Sequence, residues 1–242
     1  MNFELMAESV PALLGGLALT LQLVSLSLFL GIFLAVGVAL LRLSRWRPLS
    51  LLAYVYVFVF RGTPLLVQIF LIYYGLGQFE AIRESFLWTF FRESFWCAIL
   101  AFTLNTGAYT SEIIRGGIQS VPYGQIEAAR ACGMSGPLLF RRIVLPIAIR
   151  QALPAYGNEI ILMVKASSLA STITLLEVTG IARSIIARTF EPVEIFIVAG
   201  AIYLSINFVV TRVVRHAEWR LSPHLRDAPR PAIPAPTAIE AH

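Results

Sequence analysis

Apolar residues run along this chain in five long stretches that short polar segments separate. The stretches cover residues 10–41, 49–76, 95–114, 152–164 and 195–214. A helix needs roughly 20 apolar residues to cross the hydrocarbon core of a bilayer. Only the fourth stretch is shorter than this, and we expect it to continue through Lys165 or to be broken. The pattern predicts an all-α polytopic membrane protein with about five transmembrane helices.

Basic residues set the predicted orientation of these helices. Arg42, Arg45 and Arg47 directly follow the first stretch, and cytoplasmic loops retain positive charge. The segments predicted to face inward hold 13 basic residues, whereas the outward segments hold four, mixed with glutamates such as Glu177. The N-terminus is therefore predicted outside and the C-terminus inside.

Composition narrows the chemistry. Hydrophobic residues make up 57% of the 242 positions and charged residues 14%, a balance that ordinary soluble domains do not show. The basic residues lie between apolar stretches, which favours membrane topology over nucleic-acid binding. All three histidines lie at or beyond the last stretch, and Cys97 and Cys132 fall on opposite predicted sides. We therefore expect no haem, no metal site and no bound cofactor.

The chain divides into two parts at its C-terminal end. Residues 1–220 form the predicted transmembrane domain. Residues 221–242 are rich in proline and alanine and have no apolar period, so a disordered cytoplasmic tail is predicted. We assign the tail no function.

The inward segment 121–146 is predicted to form two short helices joined by a sharp turn. Pro122 suits the first turn of a helix, and Gly133 suits the position just past a helix end. A second helix begins near Ser135 and is expected to stop at Pro146. On periodicity alone, this hairpin fits an amphipathic element that rests on lipid headgroups.

The spacing inside this segment resembles the EAA loop of permease subunits of ATP-binding-cassette (ABC) importers. The matching positions are Glu127, Ala128, Ala129, Gly133, Ile143, Leu145 and Pro146. Segments 60–65, 104–117 and 162–169 are similar to the polar amino-acid permeases, in particular the subunit type that pairs with a second permease in histidine, arginine and opine importers. This chain has Ala166-Ser167 where that group more often has Asp-Thr.

The resemblance implies a type I ABC importer transmembrane domain in the bacterial inner membrane. Its implied partners are two ATP-binding cassette subunits, a second related permease or a copy of this chain, a periplasmic solute-binding protein, an amino-acid substrate and membrane lipid. The EAA loop would fit a groove on the ATPase subunit, with Glu127 offering a charge and Gly133 the turn. ATP and Mg²⁺ would be used by that partner.

Polar side chains inside the apolar stretches are candidates for the substrate pathway, because burying them in lipid is costly. Asn105, Tyr109 and Glu112 lie at i, i+4 and i+7, on one face of a helix. The alternative is a structural role in interhelical hydrogen bonds.

A second group of candidates surrounds the end of the fourth stretch. Lys165, Ser167 and Ser168 offer a cation and hydroxyls to a substrate carboxylate, unless Lys165 snorkels to the interface. Leu169 belongs to the segment that matches transport-site positions by resemblance. Further candidates are Glu159, Asn158 and Gln68. Arg61 to Pro64 is interpreted as a segment that bends and anchors the second helix.

Three functions remain to be weighed. A transport subunit driven by partner ATPases fits a chain that contains no Walker A pattern. An ion-gradient-driven secondary transporter, the alternative, usually needs internal repeats, and none is evident. A membrane enzyme would need paired aspartates or a serine with histidine, yet Asp227 in the tail is the only aspartate. Together with the resemblance, the sequence predicts a permease subunit and not an enzyme, and the resemblance implies a basic amino acid or an opine as its substrate.

Overall fold

The computed structural model describes residues 1–221, and every regular element in this part of the chain is helical. The predicted tail therefore lies outside the described residues, except for Leu221. Helices α1 (Phe3–Gly15) and α2 (Leu17–Arg42) replace the single helix predicted over 10–41, so that prediction is wrong. The break falls at Gly16, where an added Cβ would lie 2.7 Å from the carbonyl carbon of Glu177. The backbone of a distant segment therefore leaves no room for a side chain at this break.

The second stretch forms α3 (Arg47–Gly62) and α4 (Leu65–Phe70), followed by the π turn Leu71–Gly75 and the 3₁₀ turn Leu76–Gln78. The axes before and after the break are bent by 106°. Pro64 lacks a backbone N–H and forces the preceding residue out of the helical region. Thr63 accordingly has φ −113° and ψ 146°. The bend predicted here is confirmed.

A long central helix organises the bundle. After two short surface helices, α5 (Glu80–Arg83) and α6 (Trp88–Phe91), α7 (Ser94–Gln119) packs against α2, α3 and α4. Small residues allow α2 and α7 to approach closely, as in other membrane helix pairs. A Cβ added at Gly31 of α2 would lie 2.5 Å from Thr106 Cγ2 of α7.

Two short helices, α8 (Tyr123–Ala131) and α9 (Gly136–Leu139), lead through the π turn Phe140–Val144 into α10 (Leu145–Ala166). The expected stop at Pro146 is wrong, because the chain stays helical from the π turn into α10 and Pro146 lies in the first turn of α10. Helix α10 has 22 residues, which resolves the short fourth stretch. It includes Lys165 and leads into the 3₁₀ turn Ser167–Ile173. Of the two expectations for this stretch, continuation through Lys165 is therefore the correct one.

Helices α11 (Val178–Thr189) and α12 (Pro192–Leu221) complete the bundle. They pack with α1 around a buried apolar cluster that contains Leu13, Val178, Ala182 and Ile195. Helix α12 also lies against α10. The first described helix therefore joins the last two.

Glu177 lies fully buried at the start of α11, so its assignment to a solvated outer loop is wrong. Its carboxylate accepts hydrogen bonds from the backbone N–H groups of Thr179 (3.0 Å) and Gly180 (2.9 Å). The Tyr203 hydroxyl of α12 donates a third, at 2.5 Å. Burial is tolerated because donors from two helices satisfy the carboxylate.

Length and composition identify two to four membrane spans in the described residues. Leu17–Leu43 and Pro192–Leu221 qualify alone, and two bent pairs, Arg47–Gly62 with Leu65–Gln78 and Gly136–Ile173 with Val178–Thr189, qualify as pairs. Helix α7 has 26 residues, enough to cross a bilayer in length. The count of five and the outward N-terminus stay predictions.

Candidate functional site

A cavity of about 490 Å³ lies beside the α3–α4 bend, between α7 and α10. Its polar wall consists of Arg61, Thr63, Asn105, Tyr109 and Glu159. Its apolar wall includes Leu65, Leu162, Met163 and Ala166. Predicted pathway candidates from α7 and α10 are thus brought to one space, together with the segment that was interpreted only as a bend.

Gln68 secures the bend from the buried side. Its Nε2 lies 2.9 Å from the Phe60 carbonyl oxygen, 3.1 Å from the Thr63 carbonyl oxygen and 2.9 Å from Thr63 Oγ1. Its Oε1 accepts a hydrogen bond from Asn105 Nδ2 at 3.1 Å. The bend frees backbone carbonyls that need donors, and Gln68 supplies them. Asn105 therefore makes the interhelical hydrogen bond of the structural alternative while also lining the cavity.

Glu159 and Arg61 give the cavity one acidic and one basic side chain. Glu159 is buried, and within the described part of the chain its carboxylate has a single hydrogen-bond partner, Thr106 Oγ1, at 3.3 Å. The Arg61 guanidinium carbon lies 5.1 Å from the centroid of the Tyr109 ring, a cation–π distance. The cavity therefore offers complementary charges to a zwitterionic ligand.

A second cavity, of about 360 Å³, continues from the first along α7. It shares Arg61 and Tyr109 with the first cavity and reaches Arg42 and Glu112. The carboxylate of Glu112 accepts a hydrogen bond from Arg115 Nη2 at 2.6 Å and another from Arg42 Nε at 3.2 Å. The face of α7 that carries Asn105, Tyr109 and Glu112 therefore lines both cavities. The Glu112 carboxylate is already bonded to two arginines.

The candidates around Lys165 do not line either cavity. Lys165 is exposed, and the Ser167 and Ser168 hydroxyls donate to the backbone carbonyls of Val164 and Lys165, each at 2.7 Å. Leu169 packs against the main apolar core. Asn158, likewise, is exposed outside the cavities. A pathway role for these residues stays a prediction.

The segment 121–146 contains the turn that its sequence predicted. Gly133 has φ +76°, the left-handed conformation that favours glycine. Its N–H donates to the Arg130 carbonyl at 2.9 Å, and the Met134 N–H donates to the Ala129 carbonyl at 3.1 Å. These two bonds form a Schellman motif that ends α8. Ser135 then begins α9 as its extended N-cap.

A small apolar core supports this segment. It consists of buried Val121, Ala129, Leu139 and Val144, with Ile143 packed against them. Glu127 and Ala128 are exposed on α8. Leu145 is also exposed and Pro146 half-buried, in the first turn of α10. The motif therefore divides into residues that hold the segment together and residues that a partner can reach.

Sequence reasoning missed four residues that line these cavities or form hydrogen bonds to their acidic side chains. Arg61 was treated as an anchor, although a charge inside an apolar stretch was the signal used for the other candidates. Arg42 and Arg115 were counted only for topology. Thr106 could not be recognised from its own position, because the role of its hydroxyl is a hydrogen bond to Glu159 on another helix.

Among residues 1–221 no group of three or more His, Cys, Asp or Glu side chains is arranged to hold a metal ion. The chemistry of the cavities is that of charge and hydrogen bonding. It suits binding and release of a small polar solute.

The family model described as binding-protein-dependent transport system inner membrane component matches residues 27–223. The chain belongs to this family. It is 61% identical over 243 residues to the nopaline transport system permease protein NocM of Agrobacterium fabrum, with 100% of each chain covered. It is 44% identical over 212 residues to the histidine/lysine/arginine/ornithine transport system permease protein HisM of Escherichia coli strain K12, covering 87% of this chain and 89% of the relative.

A solved structure shares the fold of this family member. It is described as a crystal structure of an amino acid ABC transporter with histidines, and its chain is 36% identical with a TM-score of 0.82. The match covers 91% of this chain and 99% of the other. The fold is therefore that of a type I ABC importer transmembrane domain, as the resemblance implied, and the relatives are permeases, not enzymes.

Proposed function

We propose that this chain is the permease subunit of an ATP-driven importer and forms half of a pathway for a basic amino acid or an opine. The observation that carries the proposal is the 490 Å³ cavity, in which the buried Glu159 of α10 and the exposed Arg61 at the end of α3 lie beside the broken α3–α4 pair. Broken helices beside a polar cavity are the usual place for substrate sites in transporters.

The charges of the cavity favour this substrate class. A guanidinium or ammonium group gives Glu159 the charged partner that Thr106 does not supply, and Arg61 can hold a carboxylate. Arginine and nopaline both carry a guanidinium group together with carboxylate. The named substrates of the two relatives, nopaline and a set that includes arginine, lie in this class.

The proposed assembly contains two ATP-binding cassette subunits, a second related permease or a copy of this chain, and a periplasmic solute-binding protein, in the bacterial inner membrane. The loaded binding protein docks outside, ATP closes the motor, and hydrolysis by the partner, with Mg²⁺, resets the pathway inward. The exposed Glu127 and Ala128 of α8 contact the ATPase. The compact core beneath them transmits the movement to α10.

The experiment measures uptake of labelled arginine, histidine, glutamine and nopaline into liposomes that contain the full assembly. We expect ATP-dependent uptake of the cationic amino acids or of nopaline, and slower uptake of glutamine. Glu127→Lys abolishes uptake because it reverses the charge at the motor contact, while Gln125→Lys, at an exposed position on a different face of α8, leaves uptake unchanged.

Two results would contradict the proposal. Uptake driven by an ion gradient without ATP would favour the secondary transporter, and preferred uptake of glutamine would exclude a role for the cavity charges in selection. If both lysine variants behave alike, the contact at Glu127 is not the coupling element.

A further inference from the structure

A separate groove of about 600 Å³ opens at the turn between α2 and α3. Arg42, Ser44, Arg47, Ser50 and Tyr54 supply its polar lining. It lies outside the 490 Å³ cavity and shares no residue with it. The proposed function makes no use of this groove.

The groove is cationic. Its lining contains two arginines and no acid, and within residues 1–221 Arg47 is exposed with no ion-pair or hydrogen-bond partner. Arg42 contacts Glu112 through Nε at 3.2 Å, which leaves its terminal nitrogens available. Glu112 also pairs with Arg115. One carboxylate therefore faces two arginines, and the groove keeps a net positive charge.

Donors in the groove suit a phosphate group. Ser44 Oγ accepts a hydrogen bond from the Trp46 N–H at 3.2 Å, and its own O–H stays free to donate. Arginine forms paired hydrogen bonds with phosphate oxygens more readily than lysine does. Two guanidinium groups and one hydroxyl therefore converge on one space.

The surface next to the groove is apolar. Along α3, Leu51, Leu52 and Val55 expose 62%, 66% and 48% of their surface, and their spacing places them on one side of the helix. Trp46, 64% exposed, lies in the turn itself, and tryptophan concentrates at membrane–water interfaces. A cationic end followed by an apolar strip matches a phospholipid, with its phosphate at the turn and its acyl chains along α3.

We propose that this groove binds the headgroup of an anionic phospholipid. Arg47, the terminal nitrogens of Arg42 and the Ser44 hydroxyl hold the phosphate. The leaflet is the cytoplasmic one if the orientation predicted from the arginines holds. The 360 Å³ cavity shares Arg42 and Tyr54 with the groove, so the lipid adjoins the ion pair at Glu112.

The test compares lipid retention by the full assembly in detergent micelles that contain equal amounts of phosphatidylglycerol and phosphatidylcholine, read by native mass spectrometry. The native chain is expected to retain phosphatidylglycerol preferentially. Arg47→Gln lowers this retention about fivefold, the scale for one arginine at an anionic surface. Arg45→Gln is the matched control, because Arg45 is exposed on the same turn but does not line the groove.

Equal losses in the two variants would overturn the proposal, since they would show general attraction to a basic turn. Equal retention of the two lipids would overturn it as well. Competition by glycerol 1-phosphate at the strength of the intact lipid would remove the role of the apolar strip and so reject a lipid as the occupant. The readout is binding, so a negative result leaves the transport proposal untouched, and failure of transport leaves this one untouched.

Discussion

The main cavity contains one buried carboxylate, that of Glu159. Glu159 is buried in the polar wall of the cavity, with the neutral Thr106 hydroxyl as its hydrogen-bond partner. A charged group in such surroundings lacks the hydration that water would give. A bound cation restores a charged partner, and this difference in free energy is available for substrate binding.

Glu159→Gln should therefore weaken the apparent affinity for arginine by about tenfold or more, the loss expected when a hydrogen bond to a charged group becomes neutral. The measurement is the concentration dependence of arginine uptake into liposomes with the full assembly. Thr106→Val is the control, because it keeps the carboxylate and should change affinity less. Unchanged affinity in Glu159→Gln would place the substrate elsewhere.

The positive φ of Gly133, in the turn after α8, leads to a prediction that depends on backbone geometry alone. Gly133→Val should destabilise the segment by about 1–2 kcal/mol, because a β-branched residue resists the left-handed conformation, whereas Gly133→Asn should be tolerated. ATP hydrolysis stimulated by the loaded binding protein is the readout. Valine should reduce it and asparagine should largely preserve it. Identical rates in both variants would show that the turn does not affect coupling.

Single residues were predictable from the sequence where their cause is local. Gly133 could be found because a helix end needs a glycine within a few positions, and the loop motif supplied its neighbours. Thr106 could not, because it meets Glu159 from 53 positions away. The sequence around a hydroxyl in an apolar stretch does not indicate which distant residue it will bond to.

At the scale of helices, breaks were foreseen only when proline caused them within the stretch itself. The 106° bend follows from Pro64. The first stretch breaks at Gly16, which packs against the backbone of Glu177, and no residue near Gly16 in the sequence indicates that contact. Pro146 was misread because proline is compatible both with a helix end and with its first turn.

The interface between α2 and α7 depends on a glycine at the closest approach. Gly31→Leu should lower stability by about 1–3 kcal/mol, because the added side chain meets Thr106 and forces the helices apart. Thermal unfolding of the purified assembly in detergent tests this. Gly37→Leu is the matched control on the same helix, since a Cβ there meets nothing within 4 Å. Equal melting temperatures for the two variants would show that the helices can separate without cost.

At the scale of the whole molecule, each of the five apolar stretches coincides with a long helix or a broken pair of helices. Periodicity and length therefore foresaw which segments form the bundle. They did not foresee that α7 packs against helices from both halves of the chain. Neither did they foresee that Glu177 joins α11 to α12 through Tyr203. Such pairings depend on contacts between distant segments.

Tyr203→Phe tests how much this junction contributes to the bundle. Loss of the hydroxyl leaves the buried Glu177 carboxylate with one donor fewer, and we expect destabilisation of about 1–3 kcal/mol. Thermal unfolding in detergent measures it. Tyr123→Phe, at a tyrosine that is 66% exposed, should leave the melting temperature unchanged. If Tyr203→Phe also leaves it unchanged, the junction is not a determinant of stability.

The packing of α1 against α11 and α12 has a consequence for biosynthesis. The ribosome delivers α1 first, whereas Val178 and Ile195, which share a buried cluster with Leu13, emerge late. The nascent N-terminal segment therefore waits in the translocon or in lipid without its partners while most of the chain is made. The buried cluster around Leu13 can therefore form only after α11 and α12 have been synthesised.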